Sequence, residues 1–520
     1  MRGREGQPRR RYTISRLTFE PSGSSLNKQP FRTDGRRRET MKTRSFVAPA
    51  LFAFVVLALT GCVTVGPGHV APEPSLPAHW ATPDAQPHAG YVARQSDLGQ
   101  WWRSLGDPLL VTLVDEALRT GPDVRSAEAR LRAARARRAV AGADRFPSVN
   151  ASGSARHSDS NAQVGSGSMQ DLYSVGFDAS WELDVFGRVR RSVEAAGADH
   201  ESSQAELANA RVSLAAEVAL TYVEVRVLQI RLGIARANLA SQTETLQLTD
   251  WRAQAGLVSS QDSEQARANL EQTRAQIPSL ETSLAEAAYR LDLLLGVPPG
   301  TLTPRLATGG ELPALPAEVA VGIPADTLRQ RPDVRAAERM LAAETARVGV
   351  AQAARFPSFS LSGSIGLEAL TLGGLSDSGA TRSLLAGITA PIFDAGRLRA
   401  QVDVQDAVRE QARVAYERTV LTALQEVESA LVALARNRER SEALAKGAAA
   451  ARNAADFARQ RYSTGLIDFQ SVLDTERSVL ALEDSLASTR ADGVLALIRL
   501  YKALGGGWSP AASASQEGPA

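Results

Sequence analysis

Tyr173-Ser174-Val175-Gly176-Phe177-Asp178-Ala179-Ser180-Trp181-Glu182-Leu183 alternates without a fault. Tyr173, Val175, Phe177, Ala179, Trp181 and Leu183 share one side of an extended strand, and the residues between them share the other. A period of two is a β-strand with unlike faces. Phe359-Leu361-Gly363-Ile365-Leu367, set against Ser358, Ser360, Ser362 and Ser364, repeats the pattern. Strands of about 10 residues with one apolar and one polar face suit the wall of a membrane barrel, lipid on one side and water on the other. Residues 147–157 (Val149, Ala151, Ala155) and 383–393 (Leu384, Ala386, Ile388, Ile392) are weaker versions, which makes four strands. An amphipathic hairpin lying on a soluble helical body would alternate in the same way.

The strands sit inside a larger repeat. Pro122-Asp123-Val124-Arg125 and Pro332-Asp333-Val334-Arg335, 210 residues apart, open segments that close on Arg145-Phe146-Pro147 and Arg355-Phe356-Pro357. Further on the offset becomes 209, pairing Gly187-Arg188 with Gly396-Arg397, Gly256-Leu257 with Gly465-Leu466, and Leu295-Gly296 with Leu504-Gly505. Solenoid repeats have periods of about 20–50 residues, so the chain reads instead as an internal duplication of one large unit.

Between the strands run helices. From about Arg190 to Thr249, Leu207, Ala210, Leu214, Val218, Thr221, Val225, Leu228, Leu232, Ala235 and Leu239 recur at alternating spacings of three and four, a coiled-coil seam. About 60 helical residues make a rod of about 90 Å. The seam resumes after Gly256 as Ala266, Leu270, Thr273, Ile277, Leu280, Leu284, Ala287 and Leu291, with a counterpart at Val479, Leu482, Leu486, Thr489, Gly493, Ala496 and Leu500. Pro278 is expected to bend its helix by removing one backbone bond. Four strands cannot close a barrel, and an open edge in lipid leaves backbone groups unsatisfied. The barrel must be shared between chains: two chains give eight strands and a filled bore, three give twelve and a channel.

The front of the chain sets its destination. Residues 1–40 read as an unstructured or non-native extension, and Met41 as the start. Residues 41–61 have the basic, apolar and small-residue regions of a secretory signal, ending Leu59-Thr60-Gly61 before Cys62, the single cysteine. The apolar run is shorter than the roughly 20 residues of a spanning helix. The ending is similar to a bacterial lipoprotein signal, which implies an acylated Cys62 as first mature residue, and Val63 after it favours the outer membrane. Residues 1–61 hold 13 Lys/Arg and 4 Asp/Glu, leaving 46 basic against 53 acidic groups in the remainder. The mature chain is therefore acidic, with no basic face for nucleic acid.

At these residues the chain resembles the TolC/OprM family of outer-membrane channels, in its lipoprotein branch serving RND-type efflux. The resemblance covers residues 59–508. Its motifs are Val65-Gly66-Pro67 with Pro72, Trp101-Trp102 followed by Asp107-Pro108, Phe-Pro at the first strand of each copy, Phe186-Gly187-Arg188, Leu294-Leu295-Gly296 and Arg331-Pro332-Asp333. Gly121-Pro122 departs from the usual asparagine-containing form. The resemblance implies a mainly α fold with a transmembrane β part: a homotrimer, with one twelve-stranded barrel continuing into a coiled-coil α-barrel. It implies as partners a periplasmic adaptor protein, an inner-membrane RND transporter and outer-membrane lipid, and as function a passive conduit for drugs or other small molecules. The expected segments are 62–100 extended and Pro-rich, 101–300 the first repeat, 301–330 an equatorial linker, 331–508 the second repeat and 509–520 a disordered tail. A type I secretion conduit and a lipid-anchored periplasmic scaffold without a pore are the alternatives.

The two helix breaks are the candidate sites. Gly256-Leu257 and Gly465-Leu466 resemble the family's periplasmic tips, which implies contact with the adaptor's hairpin; as plain glycines they could equally be helix C-caps. Asp262, Asp474 and Tyr462 match positions of the family's pore constriction. In a trimer each aspartate becomes a ring of three that attracts cations, whereas alone each suits the first turn of a helix. Ile467 stands where some members have a basic partner, and Ser471 where some have an acid. No Gly-rich nucleotide loop or metal-spaced His/Cys cluster occurs, and His69, His79, His88, His157 and His200 are scattered. Neither catalysis nor a cofactor or metal is expected.

Overall fold

The computed structural model describes residues 64–73, 77, 80–81, 91–92, 98–159, 169–316, 319–320 and 331–508. The expected extension 1–40, the expected signal 41–61 with Leu59 and Gly61, the expected acylation site Cys62 and the expected tail 509–520 lie outside the described residues.

The second half repeats the first, element for element. α2 (Pro122–Ala143) and α6 (Pro332–Ala353) are 22 residues each, and α3 (Arg188–Gln254) and α7 (Arg397–Ser463) are 67 each. α4 (Ser260–Leu295) has 36 residues and α8 (Phe469–Ala503) has 35. Between α2 and α3 lie β2 (Ser148–Asp159) and β3 (Met169–Leu183); between α6 and α7 lie β5 (Ser358–Ala369) and β6 (Thr381–Thr389). The first half carries in addition α1 (Pro108–Thr120), and the connector a short α5 (Thr303–Leu306). At 1.5 Å per residue, each 67-residue helix is a rod of about 100 Å. α4 continues unbroken through Pro278. No described helix is long and apolar enough to cross a membrane.

The four long strands form one antiparallel sheet in the order β2-β3-β5-β6. The register places unlike residues on unlike faces. Val149 pairs with Ala179, Phe177 with Ile365, Trp181 with Leu361 and Phe359 with Ile388 on one face. On the other, Ser148 pairs with Ser180, Asp178 with Ser364 and Ser364 with Ser383. Phe177, Ile365 and Ile388 are exposed, as no neighbour among the described residues covers the apolar face. β6 stops at Thr389, short of the expected 393: Pro391 has no N–H for the ladder, and Ile392, expected on its apolar face, lies beyond the strand.

The segment after Cys62 is bolted to the base of the sheet. Val65 N–H donates to Phe186 O (3.1 Å), and the Arg191 guanidinium donates to Val65 O and Gly66 O. Gly66 has φ +100°, and a Cβ there would lie 2.4 Å from Gly349 Cα, so only glycine lets the strap cross α6. Phe186 stacks on Phe356 at 4.8 Å, joining the two copies where strands become helices. The expected linkers also meet: β1 (Tyr91–Val92) pairs in parallel with β4 (Val319–Ala320). Halfway along the rods, Trp101, Trp102, α1 and the apolar faces of α3, α4, α7 and α8 form the main core.

Candidate functional site

The far ends of the rods are two copies of one turn. α3 ends with Gly256 at φ +71°, its N–H on Ala253 O and the Leu257 N–H on Arg252 O; α7 ends with Gly465 at φ +79°, its N–H on Tyr462 O and the Leu466 N–H on Arg461 O. This pair of bonds is the Schellman stop, which needs a left-handed residue and therefore favours glycine. The C-cap reading is thus right for both glycines. The same turns carry Leu257 and Leu466 outward, 67% and 68% exposed. Each leucine thus stands mostly in solvent at the apex of its hairpin.

The returning helices start with side-chain caps. Ser259 Oγ accepts the Asp262 N–H, while Asp262 Oδ2 accepts from the Ser259 N–H (3.1 Å) and hydroxyl, a reciprocal capping box. Asp468 accepts from the Ser471 N–H and hydroxyl, which hold its carboxyl below the usual range, the hydroxyl most of all. Asp262 is therefore a cap residue in the single chain. Asp474 is exposed one turn further on and accepts from Gln470 Nε2 (3.0 Å). Tyr462 lies elsewhere: it is 1% exposed, packs on Phe469, lies under the Arg252 guanidinium at 4.5 Å and donates to Thr249 Oγ1 (3.3 Å). Arg252 also donates to Tyr462 O. The three candidates share the tip region without bonding to one another.

Two features were missed in the sequence. Trp251 and Phe457, 58% and 64% exposed, place aromatic surface within a few turns of the tips. The lower seam of α3 is polar: Asn238, Gln242, Thr245 and Thr249 are buried, while the expected Leu239 sits at its flank. The four-and-three spacing of those polar residues was legible, but a search for apolar periodicity passes over it.

At the other end, the polar face of the sheet is paved with hydroxyls that bond to one another: Ser148 to Ser180 (2.9 Å), Ser154 to Ser174 (2.8 Å) and Ser364 to Ser383 (2.7 Å). Arg188, at the root of α3, makes a two-pronged bond to Glu182 on that face. No group of three or more His, Cys, Asp or Glu among the described residues could hold a metal ion.

A sheet greasy on one face and hydroxylated on the other, continued by rods of about 100 Å that end in capped turns, is the build of an outer-membrane channel protein. The chain belongs to the outer membrane efflux protein family, whose profile matches residues 113–297 and 323–506. It is 34% identical over 469 residues to nodulation protein T of Rhizobium leguminosarum bv. trifolii, covering 89% of this chain and 98% of that one. It is 34% identical over 466 residues to outer membrane protein OprJ of Pseudomonas aeruginosa, covering 88% and 96%. Among solved structures, the outer-membrane channel OprN superposes with a TM-score of 0.79 at 38% identity, covering 86% of this chain and all of that one. The protein is thus an outer-membrane efflux protein with a periplasmic helical extension, and members of this family are channels rather than enzymes.

Proposed function

We propose that three copies of this chain close one twelve-stranded barrel and serve as the passive exit duct of a tripartite, RND-type pump for small molecules. The observation that carries this reading is the open sheet. β2 and β6 are its edges, and each has a row of backbone N–H and C=O groups with no partner strand among the described residues. In hydrocarbon such groups cost several kcal/mol each, so β2 of one copy pairs with β6 of the next. Twelve strands leave a bore, lined by the serine face. Residues 41–61 act as the export signal, and acylated Cys62, three residues before the clamped Val65, ties each copy to the membrane beside the strand roots.

The tips meet the periplasmic adaptor. Leu257 and Leu466, held outward by their glycine turns, supply apolar contacts, and the inner-membrane transporter supplies the energy. Leu257→Asp with Leu466→Asp is expected to abolish export, measured as drug accumulation in cells, while the purified protein still conducts ions in a planar bilayer. Export at the wild-type rate would refute adaptor contact at the tips.

Asp262 and Asp474, three of each around the axis, form a cation-attracting mouth, with Tyr462 supporting it from inside the hairpins. Asp262→Asn with Asp474→Asn is expected to reduce cation-over-anion selectivity in bilayer recordings at low salt, where screening is weak. Unchanged selectivity would rule out the mouth.

A further inference from the structure

Below Ala235 the α3 seam changes chemistry while keeping its spacing. Leu228, Leu232 and Ala235 give way to Asn238, Gln242, Thr245 and Thr249. Facing this stripe from α8 is Glu476, only 4% exposed. Its Oε1 accepts from Thr245 Oγ1 at 2.7 Å. The nearest cation is Arg459 on α7, whose Nε lies 3.9 Å from the same oxygen, too far to donate, and has no hydrogen-bond partner. Arg459 is also drawn outward toward Asp456, at 3.5 Å. Next to Glu476 in the chain, Arg477 Nε donates to Oδ1 of the buried, neutral Asn269 on α4 (3.2 Å). One turn up α3, both amide atoms of Gln242 are buried without partners.

A carboxylate offers about four acceptor sites, and here a single hydroxyl uses one of them. The contrast with other buried charges is plain. Asp292 accepts the N–H groups of Gly300 and Leu302, and Arg331 grips Asp333 with two prongs and reaches Glu426. Glu476 is thus a buried acid that the fold leaves under-supplied with donors. Burial raises its pKa above the usual carboxylate range, against the lesser, opposing pull of the Thr245 hydroxyl and Arg459.

We propose that Glu476 is a proton-operated latch in the lower seam: protonated, it lets α8 pack closed on α3, and ionised, it loosens the two helices above the tips. The direction follows from linkage. An acid that binds its proton more tightly in the packed state stabilises that state fully at pH below the ordinary glutamate value, and the stabilisation is lost as pH rises through the packed-state value. Loosening reaches the tip through a chain of hydrogen bonds: Thr249 Oγ1 donates to Thr245 O (2.8 Å), and Tyr462 donates to Thr249 Oγ1 (3.3 Å). The consequence for passage rests on the channel reading; the latch within one chain does not.

The test places spin labels at exposed Gln247 on α3 and Ser478 on α8 of the detergent-purified protein, most chains being left unlabelled, and reads the distance distribution from pH 5 to 8.5. The wild type should hold one narrow distance in acid and a longer or broader one in alkali, with a single midpoint. Glu476→Gln should stay narrow throughout, and Glu244→Gln, at an exposed acid on α3, should keep the wild-type midpoint. Thr245→Val removes the hydroxyl that favours the ionised form, so its midpoint should move upward by about one pH unit, equivalent to about 1.4 kcal/mol. A seam residue that only fills space would leave the midpoint where it is. A pH-invariant wild type, a titration surviving in Glu476→Gln, or an unmoved midpoint in Thr245→Val would each overturn the latch.

Discussion

Gly176→Ala is expected to remove most of the folded barrel from the outer membrane, although it adds one methyl group. Gly176 on β3 is in register with Gly366 on β5, and the two backbones touch there. A Cβ at Gly176 would lie 2.7 Å from Ile365 O and 2.8 Å from Gly366 Cα, while one at Gly366 would lie 2.7 Å from Val175 O. What it meets is ladder backbone, which cannot rotate aside as a side chain would. Overpacking of this kind costs about 1–3 kcal/mol, and the upper end applies because the strands must part at mid-sheet. Gly153→Ala, on β2, provides the control, because a Cβ there would meet only Ser174 O at 3.9 Å. Immunoblots of outer-membrane fractions should show Gly153→Ala near wild type and Gly176→Ala strongly depleted. Equal yields would mean that the close crossing of β3 and β5 is not a constraint.

The second large effect is expected in the core. Asp107 caps α1, its Oδ1 accepting the N–H groups of Leu109 (2.9 Å) and Leu110 (3.1 Å). Its Oδ2 accepts from the Tyr222 hydroxyl (2.5 Å), which in turn accepts from Arg226 Nε (2.9 Å), and Arg226 donates onward to Thr308 O. Tyr222 is fully buried, and burial first, then the Asp107 bond, pushes its pKa up to about 12. Asp107→Ala loses a helix cap, about 1 kcal/mol, and leaves a buried hydroxyl without its acceptor, about 1–3 kcal/mol more. The sum is about 3 kcal/mol. Tyr222→Phe takes the donor from Asp107 Oδ2 and the acceptor from Arg226 Nε but leaves the α1 cap in place, so it should cost less, and the double variant should cost less than the two singles added, because they share one bond. Heat-induced loss of helical circular dichroism at fixed scan rate reads all three, since unfolding of such a protein is a rate rather than an equilibrium. Additive effects would contradict a connected chain from α1 to the connector.

Much of this architecture was legible because its two periods are extreme. Tyr173 to Leu183 alternates without fault, and α3 keeps a three-and-four seam over most of its length, so strand and rod could be read directly. Gly187 and Gly396, with φ +84° and +85°, begin the two 67-residue helices where the repeat places them. Boundaries were less legible: β6 ends early because one imino acid, Pro391, removes a donor. The site was legible in position but not in role. Gly256 and Gly465 were found as breaks, yet their leucines' exposure depends on the turn, and Asp262's cap bond on the rotamer of Ser259. Glu476 was invisible because burial of a charge depends on which helices face it, and Thr245 and Arg459 lie on two other helices.

The most direct test of the shared barrel is the mass of the detergent-extracted mature protein, corrected for bound detergent, after fractionation has placed it in the outer membrane. The account predicts a trimer, in which β2 of each copy pairs with β6 of the next and every strand edge is closed. A stable monomer would leave both edges of the sheet open in lipid and would contradict the barrel, leaving a lipid-anchored helical scaffold in its place.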